Sequence, residues 1–268
     1  MVAQLKELGV NFVMMHCYKG GGVEFERESI NDAARFADLC HDTELHVGVY
    51  AYSGALLWEP LLKEVPAARE WFILDEHGEP NRCYGVPYRY RRNRMHPGAM
   101  DYYKRIIRFA VEEIKADLIH LDNHGTGPGF DGNSQKRFRE HLAKNFSAEQ
   151  LAHMGVDNVE NAMPPHSSDT NELFQRMWRE FRFQSVAAAY YEIGGYARSL
   201  RKDVLMELNA GCSRCASAFG RGEFGYDYMR TAFEDPGDRN ARWFLDVSHV
   251  RIERLREVLV LAKPARLA

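Results

Sequence analysis

Two acidic residues stand where chemistry is plausible: Asp122 closes the apolar run "ADLIHLD" (116–122), and Glu207 interrupts "VLMELNA" (204–210). Alternation along an extended strand puts His120 and Asp122 on one face and Ile119 and Leu121 on the other. The same rule pairs Glu207 with Asn209, while Met206 and Leu208 face away. An acid on an otherwise apolar strand needs a task or a partner. Asp122 capping a turn and Glu207 bound to an arginine are the structural alternatives. Other apolar runs end in a similar way. "MMHCYKG" contributes His16 and Lys19, "LHVGVYAY" contributes Tyr50 and Tyr52, and "WFLDVSHV" contributes Asp246 with His249 just beyond. Asn123 and His124 follow Asp122 directly.

Two carboxylates on neighbouring strand ends suit cleavage of a glycosidic bond. One protonates the leaving oxygen while the other attacks the sugar or activates water. The expected catalytic pair is therefore Asp122, as nucleophile or base, with Glu207 as the acid. His16, Tyr52, Trp58, His120, Asn123, His124, Asn209 and Asp246 are the expected sugar-lining residues. Aromatic rings suit this role because sugars carry apolar faces, and Tyr52, Trp58, Trp71 and Tyr90 are the candidate platforms.

The elements that would hold these residues alternate between helix and strand. "VAQLKELG" leads into a strand at 10–18, and a helix near 29–42 with Ile30, Ala33, Ala37 and Cys40 on one face leads into 45–52. A helix at 101–115 precedes 117–122, a long helix near 171–200 precedes 204–210, and the stretch 242–248 precedes a last helix near 251–262. Near-continuous apolar strands joined by amphipathic helices predict a parallel sheet covered by helices. Polar strand ends followed by long loops favour a (β/α)8-type TIM barrel over an open doubly wound sheet. Five strands are fewer than eight, which favours a partial barrel. The expectation is one barrel domain over 1–268, with insertions at about 53–100 and 125–170. Loops of that length are usually lids or binding surfaces.

Several other chemistries find little support. The five cysteines are scattered and odd in number, which argues against a disulfide framework. Cys212 and Cys215 form a lone C-x2-C to which Cys17 and Cys83 could add, yet no second close pair suggests zinc. His16, His120, His124 and Asp246 could assemble a catalytic metal site, but no HxH or HExxH spacing points to one. No metal and no cofactor is therefore expected. "GTGPGFDG" lacks the GK[ST] ending of a phosphate-binding loop, and neither GxSxG nor GxGxxG occurs. A net charge of −3 gives no reason to expect nucleic acid or an anionic membrane as partner. The opening "MVAQLKELGVNFV" reads as helix then strand rather than a signal peptide. No apolar run reaches the roughly 18 residues of a membrane span. Unpaired sheet edges would need cover from loops or another subunit, so a homo-oligomer is a candidate assembly.

The segments "LKELGVNFVMMHCYKG", "FADLCHDTELHVGVYAY" and "AREWFILDEHGEP" resemble the succession of strands, helices and loops in hypothetical glycosyl hydrolases of the barrel type. "MHPGAMDYYKRIIRFAVEEIKADLIHLDN" is similar to their approach to a strand-end Asp. "KRFREHLAKNFSAEQLAHMG" and "WREFRFQSVAAAYYEIGGYARSLRKDVLMELNAG" are similar to segments of glycoside hydrolase family 42 relatives. The resemblance spans about residues 5–210 and implies a sugar-processing barrel. It departs from family 42 at the strand end, where that family has Asn-Glu and this chain has Asp122-Asn123. The order of Asp then Glu on successive strands is closer to the α-amylase-like layout, which implies Asp122 as nucleophile and Glu207 as acid. His120 stands where that layout usually has an arginine. A carbohydrate-binding or structural barrel without activity, and a metal-dependent barrel hydrolase, are the competing expectations.

Overall fold

The computed structural model describes residues 2–125 and 127–208, apart from the side chains of residues 55, 57 and 58. A short helix α1 (Val2–Glu7) leads into strand β1 (Phe12–Tyr18), followed by α2 (Arg27–His41) and β2 (His46–Tyr52). The first insertion holds β3 (Ala55–Leu57), α3 (Trp58–Glu64) and β4 (Arg89–Arg91). Helix α4 (Pro97–Glu112) then precedes β5 (Leu118–Asp122). The second insertion contributes α5 (Gly132–Asn145) and α6 (Ala148–His153), and α7 (Glu172–Leu200) leads to β6 (Leu205–Leu208).

The fold is mixed α/β around a parallel sheet in the order β1-β2-β5-β6. Four of the five expected strands are thus parallel neighbours; the fifth, at 242–248, and the helix after it lie outside the described residues. Strand order follows chain order. Val47, Val49, Ala51, Ile119, Leu121 and Met206 bury one sheet face against Ala33, Ala37 and Cys40 of α2, Ile106, Ile107 and Ala110 of α4, and Ala189, Ile193 and Ala197 of α7. A doubly wound sheet would reverse its order at a switch point and carry helices on both faces. The opposite face carries Phe12, Met14, His16, Tyr50, His120 and Glu207.

Local sequence explains the helix boundaries. Pro97 opens α4 at a position whose N–H would lack a helical partner anyway. Asp131 caps α5 by accepting from the Ser134 N–H at 3.0 Å, and Asn171 caps α7 by accepting from the Phe174 N–H at 3.0 Å. Ser147 and Gln150 close a reciprocal capping box on α6. Helix α7 serves two cores. Its first half packs Phe174, Trp178 and Phe181 around Phe138 and Leu142 of α5, while its second half covers the sheet.

The second insertion holds the two helices that its sequence suggests, near 134–145 and just after, whereas the first differs from a plain loop. The first contains an antiparallel ribbon of β3 and β4, which is too short and too charged to register as strands by periodicity. It docks on the second insertion: the Phe130 N–H donates to the Leu74 carbonyl at 2.8 Å, and Glu76 accepts from the Ser167 N–H and Oγ at 2.6 and 2.7 Å. Among the described residues, no helix is long and apolar enough to cross a membrane.

Candidate functional site

A polar row crosses the sheet face that carries no helix among the described residues, near its C-terminal edge. Register pairs His16 with Tyr50, Tyr50 with His120, and His120 with Glu207. One step further along, Tyr52 pairs with Asp122. Parallel strands in register stack side chains of equal parity, so one row of the sheet gathers groups from four distant segments.

His120 is the centre of this row. Its Nδ1 lies 3.2 Å from Glu207 Oε2, and its Nε2 lies 3.9 Å from Asp122 Oδ1. The imidazole therefore faces both carboxylates. Tyr50 stacks on it with ring centroids 5.8 Å apart and donates its hydroxyl to Asp122 Oδ2. Burial and then the Asp122 carboxylate push the Tyr50 phenol above its usual range, so it stays a protonated donor. Asn123 Nδ2 donates to the same Asp122 oxygen at 2.5 Å. The Asp122 side chain is only 10% exposed, whereas that of Glu207 is 27% exposed.

The turn after β5 gives Asp122 its surroundings. Asn123 adopts a left-handed backbone (φ 53), which asparagine tolerates better than most residues. Gly54 packs against this turn; a Cβ there would lie 2.7 Å from both the Cβ and the carbonyl oxygen of Asn123. Arg94 is buried and donates to the Asn123 carbonyl at 2.5 Å. Burial, and Arg92 beside it, bring Arg94 down to about 9, so it remains cationic at neutral pH. Arg92 donates to the Ser53 carbonyl at 3.0 Å and lies over the Tyr103 ring.

At the other end of the row, His16 Nε2 lies 3.2 Å from Glu26 Oε2. Glu26 is buried, and it also accepts the Lys19 and Gly21 N–H groups, each at 2.6 Å. Its carboxylate thus fixes both the His16 ring and the loop after β1.

The structure brings together Asp122, Glu207, His120, Asn123 and His16. Two other expected lining residues sit elsewhere. His124 is fully buried, with Nε2 3.2 Å from the Val186 carbonyl and Nδ1 3.0 Å from Ser53 Oγ. Burial, and then Arg94, drive its pKa well below 6.5, so it is a neutral core group that ties the β5 turn to α7. Tyr52 is 2% exposed, covered by Cys83 at 3.4 Å from its hydroxyl and by Arg89 over its ring. Trp71, proposed from sequence as a platform, is buried against Tyr102 and Gly98, and Tyr90 stacks on Phe72. Trp58 begins α3, but its side chain lies outside the described residues, as do Asn209 and Asp246.

Glu26, Ser53, Arg92, Arg94 and Tyr84 also belong to these surroundings and are not among the expected site residues. Parity could have ranked Tyr50 with His120. Nothing local marks the others: Arg92 and Arg94 are buried beneath the turn only through the folding of the first insertion.

Cys17, Cys40 and Cys83 are buried free thiols, and burial pushes Cys17 up to about 12. Cys40 packs on α2 as a small apolar residue, as its helical spacing predicts. Cys212 and Cys215 lie outside the described residues. Among the described residues, no group of three or more His, Cys, Asp or Glu side chains is arranged to hold a metal ion.

No protein-family model matches the chain, and no curated protein matches it in sequence. Solved structures do. A β-galactosidase from Bacillus circulans sp. alkalophilus superposes with a TM-score of 0.62 at 12% identity, over 78% of this chain and 33% of that one. The fold resembles part of that β-galactosidase. Looser similarities are to an α-galactosidase from Lactobacillus brevis (TM-score 0.46, 13% identity, 77% of this chain and 23% of that one) and to an α-amylase from Geobacillus thermoleovorans complexed with acarbose (0.46, 10%, 85% and 41%). The chain spans about a third of the length of the β-galactosidase.

Proposed function

We propose that the chain is a single (β/α)8-type barrel domain, or an arc of one, that cleaves a glycosidic bond in a carbohydrate. The sequential parallel strands with helices on one face support the architecture, and the likeness in fold to a β-galactosidase agrees with it. One observation carries the chemistry: the imidazole of His120 reaches Glu207 on one side and Asp122 on the other, on adjacent strand ends.

In this reading Glu207, the more open carboxyl, donates a proton to the departing glycosidic oxygen. Asp122 attacks the anomeric carbon or activates a water, with its orientation set by Tyr50 and Asn123. His120 holds the two side chains apart and keeps each aimed into the site. His16 and Asn123 line the sugar subsite. Pre-set hydrogen bonds of this kind favour the transition state because they need no reorganisation as charge develops.

The test is hydrolysis of a panel of aryl glycosides and polysaccharides by the wild type, Asp122→Asn and Glu207→Gln. Turnover in the wild type that falls by orders of magnitude in both variants, with folding retained, supports the proposal. Equal turnover in all three would sink it. A second reading, a carbohydrate-binding barrel without activity, is favoured by the low exposure of Asp122. It expects sugar binding and no hydrolysis.

A further inference from the structure

We infer that Tyr84, in the 83–85 turn of the first insertion, is the stacking platform for a sugar ring beside Asp122. This rests on the carbohydrate reading above and assigns a wall of its sugar subsite.

Tyr84 is 66% exposed, whereas Tyr52 and Trp71 are covered. Its position is not that of a loose surface ring. The hydroxyl donates to Asn123 Oδ1 at 3.3 Å, and the same asparagine donates through Nδ2 to Asp122 Oδ2 at 2.5 Å. The ring edge is therefore connected to the carboxylate through one amide.

The guanidinium of Arg89 lies 6.0 Å from the Tyr84 centroid and 5.2 Å from that of Tyr52, within cation–π reach of both rings. One side of the Tyr84 ring is backed by this cation, and the exposure falls to the rest. A sugar has a polar rim and an apolar face of C–H groups. It would find here an aromatic surface together with the Asn123 amide at its margin.

The backbone makes the same point. Tyr84 has φ 57 and ψ 21, a left-handed conformation that a bulky residue rarely adopts. Cys83 on one side is buried against the Tyr52 hydroxyl, and Gly85 on the other has φ 71. A chain that needed only a tight turn would be easier to build with glycine or asparagine at 84. Strain retained at an exposed aromatic residue next to a buried carboxylate is the pattern of a ligand contact.

The experiment measures binding of methyl α- and β-pyranosides of galactose, glucose and mannose by saturation-transfer NMR. It compares the wild type with Tyr84→Ala, Tyr84→Asn, Tyr84→Phe and Tyr84→Trp, and aryl glycoside hydrolysis is followed in parallel. The asparagine variant guards against misfolding, because that residue tolerates the left-handed turn. The expected result is a loss of about tenfold in affinity for Tyr84→Ala and Tyr84→Asn, with Tyr84→Phe and Tyr84→Trp within about threefold of wild type. A purely structural role through the hydroxyl would instead weaken the phenylalanine variant as much as the alanine one, and overturn the inference. Wild-type binding unchanged in Tyr84→Ala and Tyr84→Asn would overturn it while leaving the glycosidase reading to the hydrolysis assay. No binding of any pyranoside by the wild type would overturn it too. Binding without hydrolysis would uphold the platform and reject the glycosidase.

Discussion

His120 and Glu207 stand side by side in parallel register on β5 and β6, with Nδ1 of one 3.2 Å from Oε2 of the other. A histidine in this position gives the glutamate a polar partner within the row that also holds Tyr50 and His16. It leaves the other ring nitrogen directed at Asp122.

Replacing that histidine tests whether it aligns the carboxylates. In His120→Phe the ring shape remains, but both polar contacts go. Losing the 3.2 Å and 3.9 Å contacts removes the partner that the two carboxylates share, so turnover should fall by about tenfold. Steady-state kinetics on the best aryl glycoside would check this. A fall in kcat with KM nearly constant is the expected outcome.

Gly54→Ala should damage the site without removing any polar group. Its Cβ would come within 2.7 Å of the Asn123 backbone and Cβ, and backbone cannot swing aside as a side-chain tip can. The expected outcome is a lower thermal midpoint together with a disproportionate loss of activity. Gly132→Ala is the control, since a Cβ there meets nothing within 4 Å.

His124 predicts the acid sensitivity of folding. Its folded pKa lies well below 6.5 because burial and Arg94 oppose its charge. In the unfolded chain it takes up a proton as pH falls through about 6.5, while the folded chain does not. The contribution to stability is therefore intact above that pH and lost progressively below it, at up to about 1.4 kcal/mol per pH unit. His141, lowered by burial and then Lys144, acts in the same direction. Urea titrations between pH 7.5 and roughly 5 should show a shallower decline for His124→Gln than for the wild type.

The two cores should respond separately to truncation. Ile119→Ala empties a fully buried position on the central sheet and should cost about 2–5 kcal/mol. Trp178→Ala should cost about 3–5 kcal/mol through the cluster around Phe138. Hydrogen exchange would separate them, with Trp178→Ala loosening α5 and α6 before the sheet opens.

Periodicity alone reveals β1, β2, β5, β6 and the helices between them, because each buried position repeats locally: Ile30, Ala33, Ala37 and Cys40 on α2, or Ile119 and Leu121 on β5. Parity on those strands also groups His120 with Asp122 and singles out Glu207. Which groups meet is a different matter, since strand register and insertion docking depend on contacts between segments far apart in the chain. The pairing of His120 with Glu207, the Tyr50 hydroxyl on Asp122, and Glu26 beneath His16 all arise in this way. His124 shows the limit most sharply. Two residues from Asp122 it reads as a site histidine, yet the left-handed turn at Asn123 sends it inward to Val186 of α7, where desolvation keeps it neutral. Local periodicity is enough for the four strands of the main sheet and the parity of their side chains, whereas long-range packing selects which polar groups face the uncovered side of the sheet and which are buried beneath it.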